Sequence, residues 1–281
     1  MNIVEKHIVP ELTDSRRLSD YCCGKFSLLP SRNSVKKAIE SNRILVNGSI
    51  QSTAYWVQTD DHIELLESTR GTTFGWELEV VLEDEYLAVV NKPAGMLTSG
   101  NAFRTVENAL KNNLQQSSQT DGLVNPRVCH RLDFETSGLL LVAKTSSSLR
   151  RMKAAFESND IEKHYLALVL GDVPDEGMMD SEIDGKSAKT RYKCIQRKPS
   201  KKHGSINLLE VGIDTGRRHQ IRIHLASIGH PILGDQRHEG YLGMKKGLYL
   251  QLNQLKFIHP GSSEEKHLQI SVPKKFLKLL A

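Results

Sequence analysis

The chain has 281 residues, of which 38% are hydrophobic and 25% charged, with a formal net charge of +5. That length holds one large domain or two smaller ones, and that composition excludes a disordered chain. No apolar run approaches the roughly 20 residues of a membrane-spanning helix, and Met1 to His7 carry no apolar stretch of a signal peptide, so a cytoplasmic protein without membrane attachment is expected.

Residues 10–70 read as a small α/β unit. Ser31 stands where a helix N-cap belongs, and the helix runs to about Asn42. Val35, Ala38 and Ile39 share one face, while Arg32, Lys36, Lys37 and Arg43 make the remainder basic. Ile44-Leu45-Val46 reads as a strand. Asn47-Gly48 follows as a tight hairpin turn, because both residues tolerate positive φ. Residues 61–66 read as a second strand, and the polar, β-poor segment 67–73 reads as a linker.

Residues 77–281 have a different character. Val80–Leu82 and Tyr86–Val90 flank an acidic turn and read as a hairpin. Thr105–Leu114 reads as a helix, Leu139–Ala143 as a short apolar strand, and Ser146–Asn159 as an amphipathic helix. Strands are expected near 163–170, 190–197, 205–213, 248–252 and 267–272, with a helix over His219–Ile228. Helices set between strand pairs predict an α+β fold around a mixed or antiparallel sheet.

The four cysteines, Cys22, Cys23, Cys129 and Cys194, form no Cys-x-x-Cys pair. They read as reduced residues in or near a core, with no metal site. From Lys186 to His203 there are eight Lys or Arg residues and no acid. Such a run suits either a solvated face or contact with a polyanion.

The most informative stretch is His130-Arg131-Leu132-Asp133-Phe134-Glu135-Thr136-Ser137-Gly138-Leu139. An aspartate sits on a loop ahead of a buried strand, and Gly138 permits a sharp turn into it. Such an aspartate either caps the turn or serves as a reactive group held by a rigid scaffold.

This string resembles the catalytic motif of the RluA family of pseudouridine synthases. Three further segments resemble that family in the same order: Asn91-Lys92-Pro93-Ala94-Gly95, Lys163-His164-Tyr165-Leu166-Ala167-Leu168-Val169, and Thr215-Gly216-Arg217-Arg218-His219-Gln220-Ile221-Arg222 continuing to Gly234-Asp235. Gly185-Lys186-Ser187-Ala188-Lys189-Thr190 is a weaker match. The first unit is similar to the alpha-L (S4-type) RNA-binding module, through Ser31-Arg32, Val35-Lys36-Lys37-Ala38-Ile39, Val46-Asn47-Gly48 and Asp61-x-Ile63-Glu64-Leu65.

The resemblance implies the pseudouridine synthase fold, a mixed, mainly antiparallel sheet with flanking helices, preceded by a small RNA-binding domain. It implies isomerisation of uridine in structured RNA, foremost 23S ribosomal RNA, with transfer RNA as the alternative. No cofactor or metal is implied, and a monomer is expected. Asp133 is implied as the essential carboxylate. A carboxylate working in a partly buried site needs a cationic partner, and the resemblance gives that part to Arg222. Tyr165 is implied to stack on uracil and remove its carbon-bound proton. The target base must be flipped out of its helix, and Arg131 is expected near the vacated space. His130 is expected to orient the loop beside the RNA.

RNA contacts are further expected from Arg32, Lys36, Lys37, Lys186, Lys189, Arg191, Arg217 and Arg218, with Asn91 and Lys92 shaping the sheet edge. Three departures, Thr98-Ser99-Gly100, Gln236-Arg237-His238 and Leu250-Gln251-Leu252, bear on the RNA target rather than the reaction. A non-catalytic RNA-binding or ribosome-assembly protein is disfavoured by the presence of Asp133, Tyr165 and Arg222 together. A hydrolase lacks a second acid, a Gly-x-Ser-x-Gly elbow or a metal cluster.

Overall fold

A computed structural model of the chain describes residues 3–67, 75–201, 203–238 and 247–281. Contacts divide it into two compact units, Met1–Thr72 and Thr73–Ala281. The segment read as a linker, beyond Glu67, lies outside the described residues.

The first unit contains β1 (Ile3–Ile8), α1 (Leu18–Tyr21), α2 (Arg32–Glu40), β2 (Ile44–Val46), β3 (Ser49–Ile50) and β4 (His62–Leu66). Its sheet has the order β1-β4-β2-β3, with every pairing antiparallel. The boundary read at residue 10 omits β1, which carries the outer edge of this sheet. The helix starts as its sequence dictates. The Ser31 hydroxyl accepts from the Ser34 amide at 3.2 Å, and the Ser34 hydroxyl accepts from the Ser31 amide at 3.1 Å. Val35, Ala38 and Ile39 are buried against Ile44, Val46, Ile63 and Leu65. Asn47 and Gly48 both hold positive φ, at 50° and 75°. Asp61 locks this turn by accepting from the Asn47 side chain at 2.8 Å.

The second unit is built on one large sheet. In chain order it contains β5 (Glu79–Glu83), β6 (Leu87–Lys92), α3 (Val106–Asn113), β7 (Gly122–Val128), β8 (Ser137–Thr145) and α4 (Ser146–Glu157). Then come β9 (Glu162–Leu170), β10 (Glu176–Met179), β11 (Thr190–Ser200), β12 (Gly204–Ile213), α5 (Gln220–Ser227), β13 (Leu250–Ile258), β14 (Glu265–Gln269) and α6 (Lys274–Leu280). The sheet order is β10-β11-β12-β9-β13-β8-β6-β5, with β14 beside β13 and β7 beside β8. Among the strands of the described residues, β13 pairs with β8 in parallel and the other pairings are antiparallel. The fold is therefore mixed α+β with a mainly antiparallel sheet. The centre of β8, Leu139 to Ala143, is wholly buried, as are Ala167 to Val169 of β9.

The strand expected at 248–252 begins at Leu250 and continues to Ile258. Leu250 to Asn253 are all buried, and after a register shift between Leu252 and Gln254 burial alternates through Leu255 and Phe257. That bulge breaks the two-residue period by which a strand is recognised. β7 escapes recognition because it carries Gly122, Asn125 and Pro126. Cys23 is exposed, unlike the buried Cys22 and Cys129, and so lies outside the core.

Candidate active site

Asp133 sits on the loop between β7 and β8, and that loop is fixed by main-chain atoms. Lys92 closes β6, is fully buried, and donates to the carbonyl oxygens of Pro93 (3.0 Å), Phe134 (3.3 Å) and Thr136 (2.7 Å). Burial pushes its pKa down to about 8, while the charge of Asp133 pulls the other way. Thr98, one of the departures, is buried too. Its hydroxyl donates to the Leu132 carbonyl at 2.8 Å and accepts from the Leu132 amide at 3.2 Å. The Gly95 amide donates to the Phe134 carbonyl at 2.8 Å, and the Thr136 amide to the Asp133 carbonyl at 3.1 Å.

His130 holds the other end of the loop. Its Nε2 accepts from the Leu141 amide at 3.0 Å, and its ring stacks on Phe156 with centroids 4.5 Å apart. Burial, aided by the charge of Lys163, pushes its pKa down to about 3. Gly138 is needed where β13 crosses. It has φ of 122°, and an added Cβ would stand 2.2 Å from the Leu252 carbonyl oxygen.

Arg222 enters from α5 with a side chain only 2% exposed, facing an Asp133 side chain that is 26% exposed. Its Nη1 lies 3.8 Å from Asp133. Its tighter partners are elsewhere. Nε and Nη2 donate to the two oxygens of fully buried Asp235 at 2.7 and 2.6 Å, and Nη2 lies 3.2 Å from Glu135. Burial opposes the Arg222 charge, but Asp235 first, then Glu135 and Asp133, outweigh it and raise its pKa. Burial likewise opposes ionisation of Asp235, yet the Arg222 bonds and the Arg237 amide hold its carboxyl below the usual value. The expected pairing of Arg222 with Asp133 thus exists inside a larger cluster.

His219, just before α5, has its Nε2 3.8 Å from Asp133 and its Nδ1 3.4 Å from Nε2 of His238. It occupies the left-handed region at φ 56°. Burial lowers its pKa, and the charges of Arg222 and Arg218 add to this against the opposing pull of Asp133. Tyr165 lies on β9, in register with Val211 of β12 and Leu252 of β13. Burial raises the pKa of its phenol, and the Asp133 charge adds to the effect. Arg131, Asp133, Thr136, Tyr165, His219 and Arg222 line one cleft of about 250 Å³. Sites for drug-sized ligands occupy roughly 300–1,000 Å³, so this cleft suits a single nucleoside.

The other expected contacts divide. Arg131, Lys186, Arg217 and Arg218 are exposed, and Lys189 is half-buried. The 186–189 segment is tied to the cleft wall, since Arg217 Nε donates to the Ser187 carbonyl at 3.0 Å. Arg191 is engaged by Asp214, and Asn91 donates to Glu79 at 2.8 Å. In the first unit Lys36 and Lys37 are exposed, while Arg32 pairs with Asp20 at 2.6 Å. As an RNA contact Lys92 is corrected, since it is sealed beneath the loop and holds it from below. His130 spends Nε2 on the Leu141 amide at the other end of the loop. Reading residue by residue misses Glu135, Asp235 and His219. The signal for Asp235 is a carboxylate beside a glycine in the last motif, thirteen residues after an arginine that must be buried.

Among the described residues no group of His, Cys, Asp and Glu could hold a metal ion, and no helix is long and apolar enough to cross a membrane.

The cleft thus brings together a half-buried carboxylate, a buried arginine and an aromatic ring. Residues 86–227 match the sequence profile of the RNA pseudouridylate synthase family, about half of the chain, and the chain belongs to that family. It is 38% identical over 177 residues to ribosomal large subunit pseudouridine synthase D of Nitrosomonas europaea, a match covering 56% of this chain and 48% of that one. It is 35% identical over 225 residues to the protein of the same name from Zymomonas mobilis, covering 70% and 69%. Its fold resembles that of human RNA pseudouridylate synthase domain containing 1, with a TM-score of 0.59 and 23% identity over 73% of this chain and 86% of that one. The protein is an RNA pseudouridine synthase.

Proposed function

We propose that the Asp133 cleft is where the reaction occurs and that the substrate is a uridine of 23S ribosomal RNA. The placement of the half-buried Asp133 carboxylate against the buried Arg222 guanidinium carries the first part. The names of the two bacterial relatives support the second. Asp133 assists cleavage of the bond between ribose C1′ and uracil N1. The freed uracil turns, C1′ bonds to C5, and the C5 proton leaves. Tyr165 lies against the uracil face, and its hydroxyl accepts that proton while passing its own to water, and uracil N1 takes up a proton in place of its bond to C1′. This order follows from a phenol that burial keeps protonated. Lys186, Lys189, Arg217 and Arg218 meet phosphates around the cleft. The first unit serves as an S4-type RNA-binding domain through the basic face of α2. The protein acts as a monomer in the cytoplasm.

The test is deletion of the gene, with pseudouridine mapped in ribosomal and transfer RNA by carbodiimide-dependent reverse-transcription stops. Stops should vanish at defined uridines of 23S ribosomal RNA, return with the wild-type gene, and stay absent with Asp133→Asn. Loss confined to transfer RNA overturns the substrate. Full restoration by Asp133→Asn overturns the site.

A further inference from the structure

Phe134 follows Asp133 directly, yet its side chain is 52% exposed. An exposed phenylalanine alone means little. This one stands on a backbone that cannot retreat, because its carbonyl accepts from both the Gly95 amide and the buried Lys92 ammonium. The segments on either side are stitched together by the paired Thr98–Leu132 hydrogen bonds. Between those stitches Leu97 is also exposed, at 39%. A small apolar projection therefore stands on the Asp133 loop, beside a cleft whose exposed side chains, Arg131, Arg217 and Arg218, are cationic.

The chemistry asks for such a projection. A uridine that enters the cleft leaves a gap in its helix, and its neighbours lose a stacking partner at a cost of a few kcal/mol. A cation offers phosphate contact but replaces a lost stack less fully than an aromatic ring. We infer that Phe134 is a specificity-determining residue that stacks on the nucleobase flanking the target uridine and holds the gap open. This rests on the reading that the Asp133 cleft receives the uridine. The pinned backbone fixes the two adjacent main-chain positions from which the ring and the Asp133 carboxylate extend. The flipped base therefore reaches the carboxylate only when its neighbour lies against the ring.

The test uses a stem-loop carrying the uridine located by the mapping above, with tritium at uracil C5, and measures tritium release in single turnovers. Two further stem-loops carry an abasic site immediately 5′ or 3′ of that uridine. Phe134→Ala should lower kcat/KM on the intact RNA by about 10- to 100-fold, the size expected for loss of one base–aromatic stack. Phe134→Trp should restore most of it. On one abasic RNA the wild type should fall to the level of Phe134→Ala, so that the effect of the substitution vanishes. An unchanged rate for Phe134→Ala on the intact RNA overturns the inference. So does an equal defect on all three RNAs, which marks a loop-shaping role. Asp133→Asn is run alongside. If it keeps full activity, the cleft is not the site and both readings fall. If it is inactive while Phe134→Ala matches wild type, only the stacking role falls.

Discussion

Replacing Lys92 by methionine tests whether the reactive loop is held from beneath. Displacement of the Lys92 pKa from 10.5 to about 8 means that keeping its charge buried costs about 3 kcal/mol at neutral pH. Methionine removes that cost but takes a donor from three carbonyl oxygens, of which Phe134 keeps the Gly95 amide, at about 1–3 kcal/mol for each left unpaired where water cannot reach. Pro93 and Phe134 lie near solvent, which can compensate in part, whereas Thr136 is buried. The net expectation for Lys92→Met is a loss of about 1–3 kcal/mol by urea denaturation at pH 7. Turnover should fall by about tenfold or more, because small displacements of a reacting group are costly.

The pH dependence has a definite sign. The folded pKa lies below the unfolded one, so the unfolded chain holds more protons between pH 8 and 10.5. Wild-type stability relative to Lys92→Met therefore grows as pH rises through that window and is least below it. A variant as stable and as active as wild type, or a stability gap that narrows from pH 8 to 10, refutes the reasoning.

Gly138→Ala should give no stable fold, since its Cβ would meet the Leu252 carbonyl at 2.2 Å in a backbone region that L-residues avoid; a wild-type melting temperature contradicts this. Asp235→Asn replaces two charge-assisted hydrogen bonds to buried Arg222 with weaker ones and should lose about 2–4 kcal/mol near neutrality. Because the native carboxyl titrates below its usual 3.8, that difference should persist above pH 4 and shrink as pH falls further, which denaturation at stepped pH will show. For His130 the folded pKa is depressed from 6.5 to about 3, so its contribution is full above pH 6.5 and is lost as pH falls, by up to about 1.4 kcal/mol per pH unit. His130→Phe loses the Leu141 hydrogen bond and should be less stable at pH 7, with a smaller acid dependence; parallel acid curves for the two proteins contradict the assignment.

Sequence patterning reveals elements whose signals are local. The Ser31 cap, the Asn47-Gly48 turn and the apolar run of β8 each sit within a few residues of the structure they specify. β13 is less legible because its bulge resets the alternation, and only its pairing with β9 explains the change. At the site, the motifs bring Asp133, Tyr165 and Arg222 into one cleft. What they do not reveal is how side chains divide their partners. Arg222 reads as a counter-charge for Asp133, yet its shortest bonds go to Asp235, which closes the same motif and is fully buried. Lys92 reads as shaping the sheet edge, where a lysine is ordinarily exposed. Only the convergence of three carbonyls from two separate segments shows that it belongs inside.

The position of β13 bears on the order in which the protein comes into being. The β8 strand follows Asp133 and the β9 strand carries Tyr165, but they do not pair; β13 lies between them. During synthesis both strands leave the ribosome long before the strand that joins them. An emerging chain that ends before Leu250 holds the two halves of the cleft with no strand to set their spacing. Modification of RNA should therefore begin only once residues 250–258 have been made and inserted, so that a half-built chain carries both halves of the cleft without the activity of the whole.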